Sequence, residues 1–239
     1  MAQVWSDMRG VLITRPEPAA SETAARVQAM GLRPILAPAL EVEPIAIPAM
    51  GLKSIAATLL TSQNAIAACS GPCRDRPAFA VGDATAARAR GAGLKDVRSA
   101  GADAVALAAM VSDQMAARSG PLFLPTAQGQ GGALARDLRA RGFRVIRRIA
   151  YRVKPVADLS DAARQHLIDG EVGSVLFFSA ETARHFVRLL RQAGLSNVAR
   201  GVDAVAISEK AIVPLSGLPW RRVRVAAKPN QDAMLALLS

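Results

Sequence analysis

The sequence predicts an α/β fold made of two similar domains, each a parallel β-sheet with helices on both faces. Apolar runs of about four to six residues alternate along the chain with helical stretches of about 10 to 15 residues, a pattern typical of parallel strands joined by crossover helices. The same series of motifs also occurs twice. A chain of 239 residues is long enough for one large or two small domains, so the repetition favours two.

The first repeated motif occupies residues 10–36 and 120–146. It reads GVLITRPEPAASETAARVQAMGLRPIL in the first copy and GPLFLPTAQGQGGALARDLRARGFRVI in the second. Each copy contains an apolar strand, a proline-containing loop and a helix that ends at a glycine, Gly31 or Gly142. A second extended run follows, so each copy predicts a strand–helix–strand unit.

Three further motifs follow one another in the same order in both series. AATLLTSQNAIAAC corresponds to GSVLFFSAETARHF, FAVGDATAARARGAGLKDVRSA to AVAISEKAIVPLSGLPWRRVRVA, and GADAVALAAMV to PNQDAMLALLS. The first two pairs are strands that end in a polar turn before a helix, and the third is an amphipathic helix with a polar start. The repetition predicts two like domains but leaves open which copy of the first motif joins which sheet.

Two extended runs, residues 35–47 and 145–157, fit neither predicted sheet. Both are rich in β-branched residues and contain proline. We expect them to pair as a two-stranded β connector between the domains, which makes at least one domain discontinuous.

Polar residues follow the predicted strands, at the edge where ligands bind to parallel sheets. Two such edges facing each other would form an interdomain cleft, which we expect to be the active site. The candidate residues are Thr14, Arg15, Pro16, Ser62, Asn64, Gly82, Thr85, Ser179, Ala180, Ser208 and Lys210.

Each of these candidates has a second interpretation. Serine, threonine and asparagine are ordinary helix caps, although the remaining amides of a capped first turn can still bind a ligand. Arg15 suits a carboxylate, or it is one solvated surface charge among many arginines.

The stretch FAVGDATAARARGAG, residues 79–93, predicts a strand, a glycine turn and a helix start, which together favour anion binding. It lacks the further glycines of a nucleotide loop, and neither GxxxxGK[ST] nor a GxGxxG after a strand occurs in the chain. We expect Asp83 to cap its own helix and to disfavour a phosphate at this position.

The net charge of +11 predicts an anionic partner, although base composition could equally explain an Ala- and Arg-rich chain. An aromatic content of 4% and the lack of a concentrated basic run argue against nucleic acid. Cys69 and Cys73 predict no disulfide framework, and with His166 and His185 distant in sequence we expect no metal site. No signal core or membrane span is evident, so we expect a cytoplasmic protein.

Several motifs together resemble the uroporphyrinogen-III synthase family. They are VLITRP, LTSQNAI, FAVGDATAARARGAG, GFRV with AYR, LFFSAETARHF, AVAISEKA and RVRVAAKP, and they cover nearly the whole chain in order. The resemblance implies a monomeric lyase that converts hydroxymethylbilane into uroporphyrinogen III in tetrapyrrole biosynthesis. It implies no cofactor, and transient contact with the preceding bilane-forming enzyme is an associated expectation.

The resemblance also implies how the chain is divided. Two Rossmann-like or flavodoxin-like domains would be formed by residues 1–37 plus 158–239 and by residues 51–146. The connector strands would lie in residues 38–50 and 147–157.

For individual residues, the resemblance implies a catalytic role for Tyr151, whose phenol would donate a proton toward the leaving hydroxyl. The alternative is a connector tyrosine that packs its ring and leaves its hydroxyl at the surface. Two loops depart from the family pattern. Residues 126–132 lack the arginines common in relatives, and SEKA replaces a turn with glycine and threonine, so substrate contacts at both are in doubt.

The principal alternative function is a non-catalytic two-domain protein that closes on a polyacidic small molecule. Such a protein would share the architecture, but proteins of this kind are usually exported.

Overall fold

The computed structural model describes residues 10–48, 54–69 and 71–238. Eleven strands are present in this part of the chain: β1 Gly10–Ile13, β2 Pro34–Leu36, β3 Leu40–Pro44, β4 Ala57–Leu60, β5 Ala78–Ala80, β6 Val97–Ser99, β7 Leu122–Ala127, β8 Val145–Pro155, β9 Val172–Phe177, β10 Asp203–Ala206 and β11 Arg222–Val225.

Eight α-helices connect or follow these strands in the described residues: α1 Ala19–Ala29, α2 Asp83–Gly91, α3 Ala104–Gln114, α4 Gly132–Ala140, α5 Asp161–Ile168, α6 Ala180–Gln192, α7 Glu209–Ile212 and α8 Gln231–Leu235. Shorter 3-10 helices span Gln63–Ala68, Gly71–Cys73, Ala117–Ser119, Ser196–Gly201, Val213–Gly217 and Ala236–Leu238.

The chain divides into two compact units. Unit 1 comprises the chain up to Glu41 and from Lys154 onward, and unit 2 comprises Val42–Val153. Both division points fall inside the segments expected to be connectors. The predicted domain boundaries themselves stay a prediction, and the one at residues 50/51 lies outside the described residues.

Unit 1 contains a five-stranded sheet in the order β11-β10-β9-β1-β2, and all of its strand pairs are parallel. The second sheet has six strands in the order β3-β8-β7-β4-β5-β6, and its pairs from β8 to β6 are parallel. This confirms the predicted α/β class with parallel sheets.

The two sheets have the same strand order when β4, β5, β6, β7 and β8 are matched to β9, β10, β11, β1 and β2. These are the pairs that the sequence repeats predict. The equivalence extends to individual hydrogen bonds. The amide of Val11 donates to the Arg33 carbonyl and the amide of Leu122 donates to the Arg144 carbonyl, both at 2.8 Å. Unit 1 is therefore a circularly permuted version of unit 2.

The expectation that the two extended runs belong to neither sheet is wrong. Strand β2 pairs with β1 in the five-stranded sheet, and β8 pairs with β7 from Val145 to Tyr151. Their predicted pairing with each other is found in β3 and β8, where the Ile45 amide donates to the Ala150 carbonyl at 2.8 Å. Each run thus extends a sheet before it becomes a connector.

Apolar clusters cover both faces of each sheet. In unit 1, Leu12 and Phe177 pack into one cluster, whereas Ile13 and Leu176 pack into the cluster on the other face. The strands of unit 2 divide in the same way between two clusters. Strands buried on both faces are continuously apolar, which leaves the strand ends as the places for polar chemistry.

The amino ends of β10 and β11 hold a buried ion pair. Asp203 is 1% exposed and accepts hydrogen bonds from Arg221 Nε at 2.7 Å and Arg224 Nη2 at 2.6 Å. The pKa of the Asp203 carboxyl is lowered, and the hydrogen bond from Arg221 is the largest cause. Burial raises this pKa, and the hydrogen bond from Arg224 lowers it further.

We predict that Asp203→Asn lowers the free energy of unfolding by about 2 kcal/mol, because two arginines lose a charged acceptor. The control is Asp232→Asn, which removes an exposed pair with Arg26 and should cost about 0.5 kcal/mol or less. Because folding lowers the pKa of the Asp203 carboxyl, the ionised group stabilises the fold above the pKa of the unfolded chain, about 3.9. This stabilisation is lost as the pH falls through the pKa of the folded protein. Urea titrations should therefore show the difference between wild type and Asp203→Asn shrinking below about pH 4; a constant difference, or equal effects of the two variants, would contradict the assignment.

Candidate functional site

The predicted site residues lie at the carboxyl edges of the two sheets, apart from Tyr151 in β8. In each sheet the chain leaves two adjacent strands in opposite directions, at β1 and β9 in unit 1 and at β4 and β7 in unit 2. Crevices outside such switch points are the usual ligand sites of open parallel sheets. The residues after these four strands are therefore the first to consider.

Thr14 follows β1, but its side chain has an internal role. It is completely buried, and its Oγ1 donates to the Leu176 carbonyl in β9 at 2.6 Å. This bond ties β1 to β9 at the switch point. The Thr14 carbonyl also accepts a hydrogen bond from the Ala39 amide, at 2.9 Å, so Thr14 serves the fold and exposes no atom to a ligand.

Arg15 is positioned by neutral groups. Its guanidinium lies 4.2 Å from the centroid of the Phe178 ring, and its Nη1 donates to Thr23 Oγ1 at 3.3 Å and to Gln231 Oε1 at 3.4 Å. Burial lowers the pKa of this guanidinium, and the carboxylate of Glu22 opposes that effect. The direct contacts of the guanidinium with Phe178, Thr23 and Gln231 are neutral, and the Glu22 carboxylate is an acidic group whose charge acts on it. Next to it, the carbonyl of Pro16 accepts from the Ala20 amide at the start of α1.

Phe178 and Gln231 were missed by sequence reasoning. Phe178 sits between β9 and Ser179 in the motif LFFSA, so its place at a strand end was a usable signal. Gln231 opens α8 at a distance of 216 residues from Arg15, and no local pattern links the two.

Ser179 and Ser62 act as helix caps. Ser179 Oγ accepts from the Thr182 amide at 3.1 Å and bonds with the Thr182 hydroxyl at 2.9 Å, which places Ala180 in the first turn of α6. Ser62 Oγ accepts from the amide of Asn64 at 3.2 Å in the 3-10 helix that follows β4. Capping satisfies one amide and leaves others in each first turn without a helical acceptor.

Gly82, and not Asp83, occupies the N-cap position of α2. Asp83 is the first helical residue, so the expectation that it caps its own helix is wrong. The first helical bond runs from the Ala86 amide to the Gly82 carbonyl at 3.0 Å, which leaves the amides of residues 83–85 without a helical acceptor. Thr85 lies in this turn and is 7% exposed.

The equivalent turn of unit 1 begins at Ser208, the N-cap of α7, whose side chain makes no capping bond. Glu209 and Lys210 follow and are both exposed. Both turns therefore carry an exposed acid, Asp83 or Glu209, but only the turn of unit 1 adds a lysine, and the cap is a glycine in unit 2 and a serine in unit 1.

Tyr151 is turned into the core of unit 2 by a bulge. Thr126 pairs with Ile149 but Ala127 pairs with Tyr151, so Ala150 is an extra residue. Ala150 and Tyr151 are therefore both buried, at 4% exposure each. The ring packs into an apolar cluster, whereas the second interpretation from sequence left the hydroxyl at the surface.

A pocket of about 400 Å³ lies beside this bulge, lined by residues 44–47, Ala67, Ala68 and Ala150. Its wall joins the start of the connector to the end of the 3-10 helix that Ser62 caps. The pocket is open to solvent on one side, and none of its lining residues is charged.

Metal-ligating groups, membrane spans and thiols bear on other classes of function. Within the described part of the chain, no group of three or more His, Cys, Asp or Glu residues could hold a metal ion. Among the helices described, none is long and apolar enough to cross a membrane. Cys69 and Cys73 are buried free thiols.

Comparisons with known proteins agree with this architecture. The fold of the chain is similar to that of a uroporphyrinogen-III synthetase from Helicobacter pylori, with 15% identity, a TM-score of 0.58, and coverage of 97% of this chain and 98% of that chain. A mutant uroporphyrinogen III synthase from the extremely thermophilic bacterium Thermus thermophilus aligns with 18% identity and a TM-score of 0.47, over 96% of this chain and 97% of that one. No curated protein matches the chain. The family model described as uroporphyrinogen-III synthase HemD matches residues 21–236, and the chain therefore belongs to the uroporphyrinogen-III synthase family.

Proposed function

We propose that the protein is the lyase that closes hydroxymethylbilane to uroporphyrinogen III, with loss of water and inversion of ring D. The observation that carries the proposal is the family match over residues 21–236, which spans elements of both units. The substrate is a linear tetrapyrrole with eight carboxylates. A net charge of +11 favours its approach.

The reaction needs acid assistance when the terminal hydroxyl leaves and an azafulvene cation forms. Attack of this cation at the substituted carbon of ring D then gives a spiro intermediate, which fragments and recloses with the ring inverted. Unguided closure gives the type I isomer instead. The protein therefore contributes mainly by holding reacting carbons in one geometry and excluding water.

The carboxyl edges of the sheets supply the groups that such positioning needs. In our proposal Arg15 binds one substrate carboxylate, supported by its neutral surroundings of Phe178, Thr23 and Gln231. Free amides in the first turn of α2 bind another. Ser62, Asn64, Ser179, Ala180, Ser208 and Lys210 complete the candidate set.

Tyr151 is proposed to assist the departure of the hydroxyl. The proposal is supported by its phenol being the only one in the chain and by the place of its neighbour Ala150 in the wall of a pocket. Tyr151 itself is 4% exposed, and a hydrogen bond from a buried phenol to a leaving oxygen is strengthened.

We further propose that the protein acts as a cytoplasmic monomer, in transient contact with the enzyme that makes the bilane. Hydroxymethylbilane cyclises without help, so direct delivery would limit that loss. A protein that only binds the polyacid is the weaker candidate, because the family to which the chain belongs is named for a synthase.

The first prediction is that purified protein converts freshly made hydroxymethylbilane mainly into the type III isomer. The macrocycles are oxidised and separated by chromatography at several protein concentrations, and the fraction of type III should rise with protein. Only type I at every concentration would refute the activity. A stable complex without turnover would instead support the binding protein.

The second prediction is that Tyr151→Phe lowers kcat by about tenfold or more, because proton donation to a leaving group contributes at least this much. The isomer should remain type III, since the ring still fills its place in the core. Thermal unfolding at the wild-type temperature would show that the fold is intact. Wild-type kcat would leave Tyr151 with a packing role only.

The third prediction is that Thr85→Ala lowers kcat/KM by about threefold, the cost of one hydrogen bond to substrate, because the amides of α2 remain. The matched control is Ser112→Ala, whose hydroxyl bonds within α3 to the Ala108 carbonyl and should not affect turnover. Complete loss of turnover in folded Thr85→Ala would instead assign the side chain an essential role.

A further inference from the structure

The loop between β7 and α4 contains no arginine. It contains Gly129 and Gly131, which both have positive φ, at 78° and 75°. A Cβ on Gly131 would clash with Cγ2 of Thr126, so this glycine is required for the chain to turn into the helix. Gly131 is the N-cap of α4, and the first helical bond runs from the Ala135 amide to its carbonyl at 3.0 Å. The amides of residues 132–134 therefore have no helical acceptor.

Two arginines, one from α4 itself and one from β8, reach the same first turn. A Cβ built on Gly132 would lie 3.6 Å from Nη1 of Arg136 and 3.8 Å from Nη1 of Arg147. Arg136 comes from the second turn of α4, and Arg147 from β8. Arg147 Nη1 also donates to the Gln130 carbonyl at 2.7 Å, which holds this guanidinium against the loop.

The nearby acidic side chain does not compensate these charges. Asp137, next to Arg136 in sequence, pairs with Arg141 at 2.9 Å. Two guanidinium groups close to one point repel each other. An anion between them would relieve the repulsion and would also meet the free amides of the helix start.

Thr126, which precedes this loop in β7, carries a buried hydroxyl. Its methyl lies against Gly131, the residue is 1% exposed, and its Oγ1 has no hydrogen-bond partner among the described residues. A buried hydroxyl without a partner is uncommon in proteins and is explained in many cases by a missing water or ion.

The place of this cluster matches that of Arg15 in unit 1. The equivalent amides of Val11 and Leu122 align Arg15 with Thr126, each at the carboxyl end of the strand beside the switch point. Unit 1 carries its cation on that strand. Unit 2 has a threonine there and brings its cations from β8 and α4.

We infer that Arg136 and Arg147, together with the amides of Gly132 and Ala133, bind one carboxylate of the tetrapyrrole at the edge of unit 2. This inference rests on the proposed function for the identity of the ligand. Planar guanidinium groups match an acetate or propionate carboxylate in a forked geometry. Residues 126–132 contain no arginine of their own, so both cations reach the loop from α4 and β8.

Kinetics with hydroxymethylbilane test the site through three variants. Arg136→Gln and Arg147→Gln should each raise KM about tenfold, which corresponds to about 1.4 kcal/mol, while kcat stays within about twofold. The control Arg118→Gln removes the same charge from the 3-10 helix before β7, at the other end of the strand, and should leave KM unchanged.

Gly132→Ala separates ligand binding from folding. Its φ is not positive and an added methyl would meet only ordinary contacts, so the helix should be at least as stable as in wild type. The methyl would nevertheless lie between the two guanidinium groups and should raise KM several-fold. A raised KM with an unchanged or higher Tm supports the site, whereas wild-type KM in this variant and in both arginine variants would overturn it.

Binding of uroporphyrin, the stable oxidised macrocycle, keeps this test independent of turnover. Fluorescence titration at increasing salt should give a smaller salt dependence for Arg136→Gln and Arg147→Gln than for wild type, because each removes one charge contact. Inorganic phosphate serves as a competitor. If millimolar phosphate displaces uroporphyrin from wild type but not from the variants, the site is reassigned to a free phosphate. If wild type forms no type III isomer but the arginine variants still weaken uroporphyrin binding, the proposed function fails and the carboxylate site stands.

Discussion

Parallel strand pairing is the constraint on which the rest of the structure depends. It buries both faces of the inner strands, so strands such as β1, β4 and β5 consist almost wholly of apolar side chains. It also aligns the carboxyl ends of neighbouring strands, which collects the polar turns at one edge. Arg15, Ser62, Gly82 and Ser179 are brought to these edges by backbone hydrogen bonding, and not by contacts among themselves.

The two ends of the unit 1 sheet carry charge in opposite ways. At the amino ends, charges are paired: Asp203 with Arg221 and Arg224, and Glu171 with Arg33 at 2.9 Å. At the carboxyl end, Arg15 is held by neutral groups. Paired charges stabilise the fold, whereas a cation that keeps its charge remains available to a ligand. The same contrast places binding and stability in different parts of one sheet.

Repetition of motifs predicted which strands are equivalent, but it left open which copy of the first motif joins which sheet. Sequence reasoning failed where a long-range pairing overrode a local pattern. Prolines in residues 35–47 and 145–157 suggested segments outside the sheets, but Pro38 lies between β2 and β3, and Pro44 and Pro155 are the last residues of β3 and β8. Both runs therefore contribute to sheets. The orientation of Tyr151 depends on one extra residue in β8, opposite Thr126. The pattern of apolar and polar residues in β8 does not indicate this extra residue. The neutral environment of Arg15 similarly depends on Gln231, which is distant in sequence.

The permuted order of unit 1 has a consequence for the way the chain is made. Unit 2 is one continuous stretch of sequence, so all of its strands from β4 to β8 are synthesised before β9. Strands β1 and β2 are translated before unit 2, yet β1 joins β9, β10 and β11 only after unit 2 has been made, with Thr14 bonded to Leu176 across 162 residues. Nascent unit 1 is therefore limited to the pair of β1 and β2 while unit 2 is synthesised, and the sheet whose synthesis begins earlier is the one that is completed later.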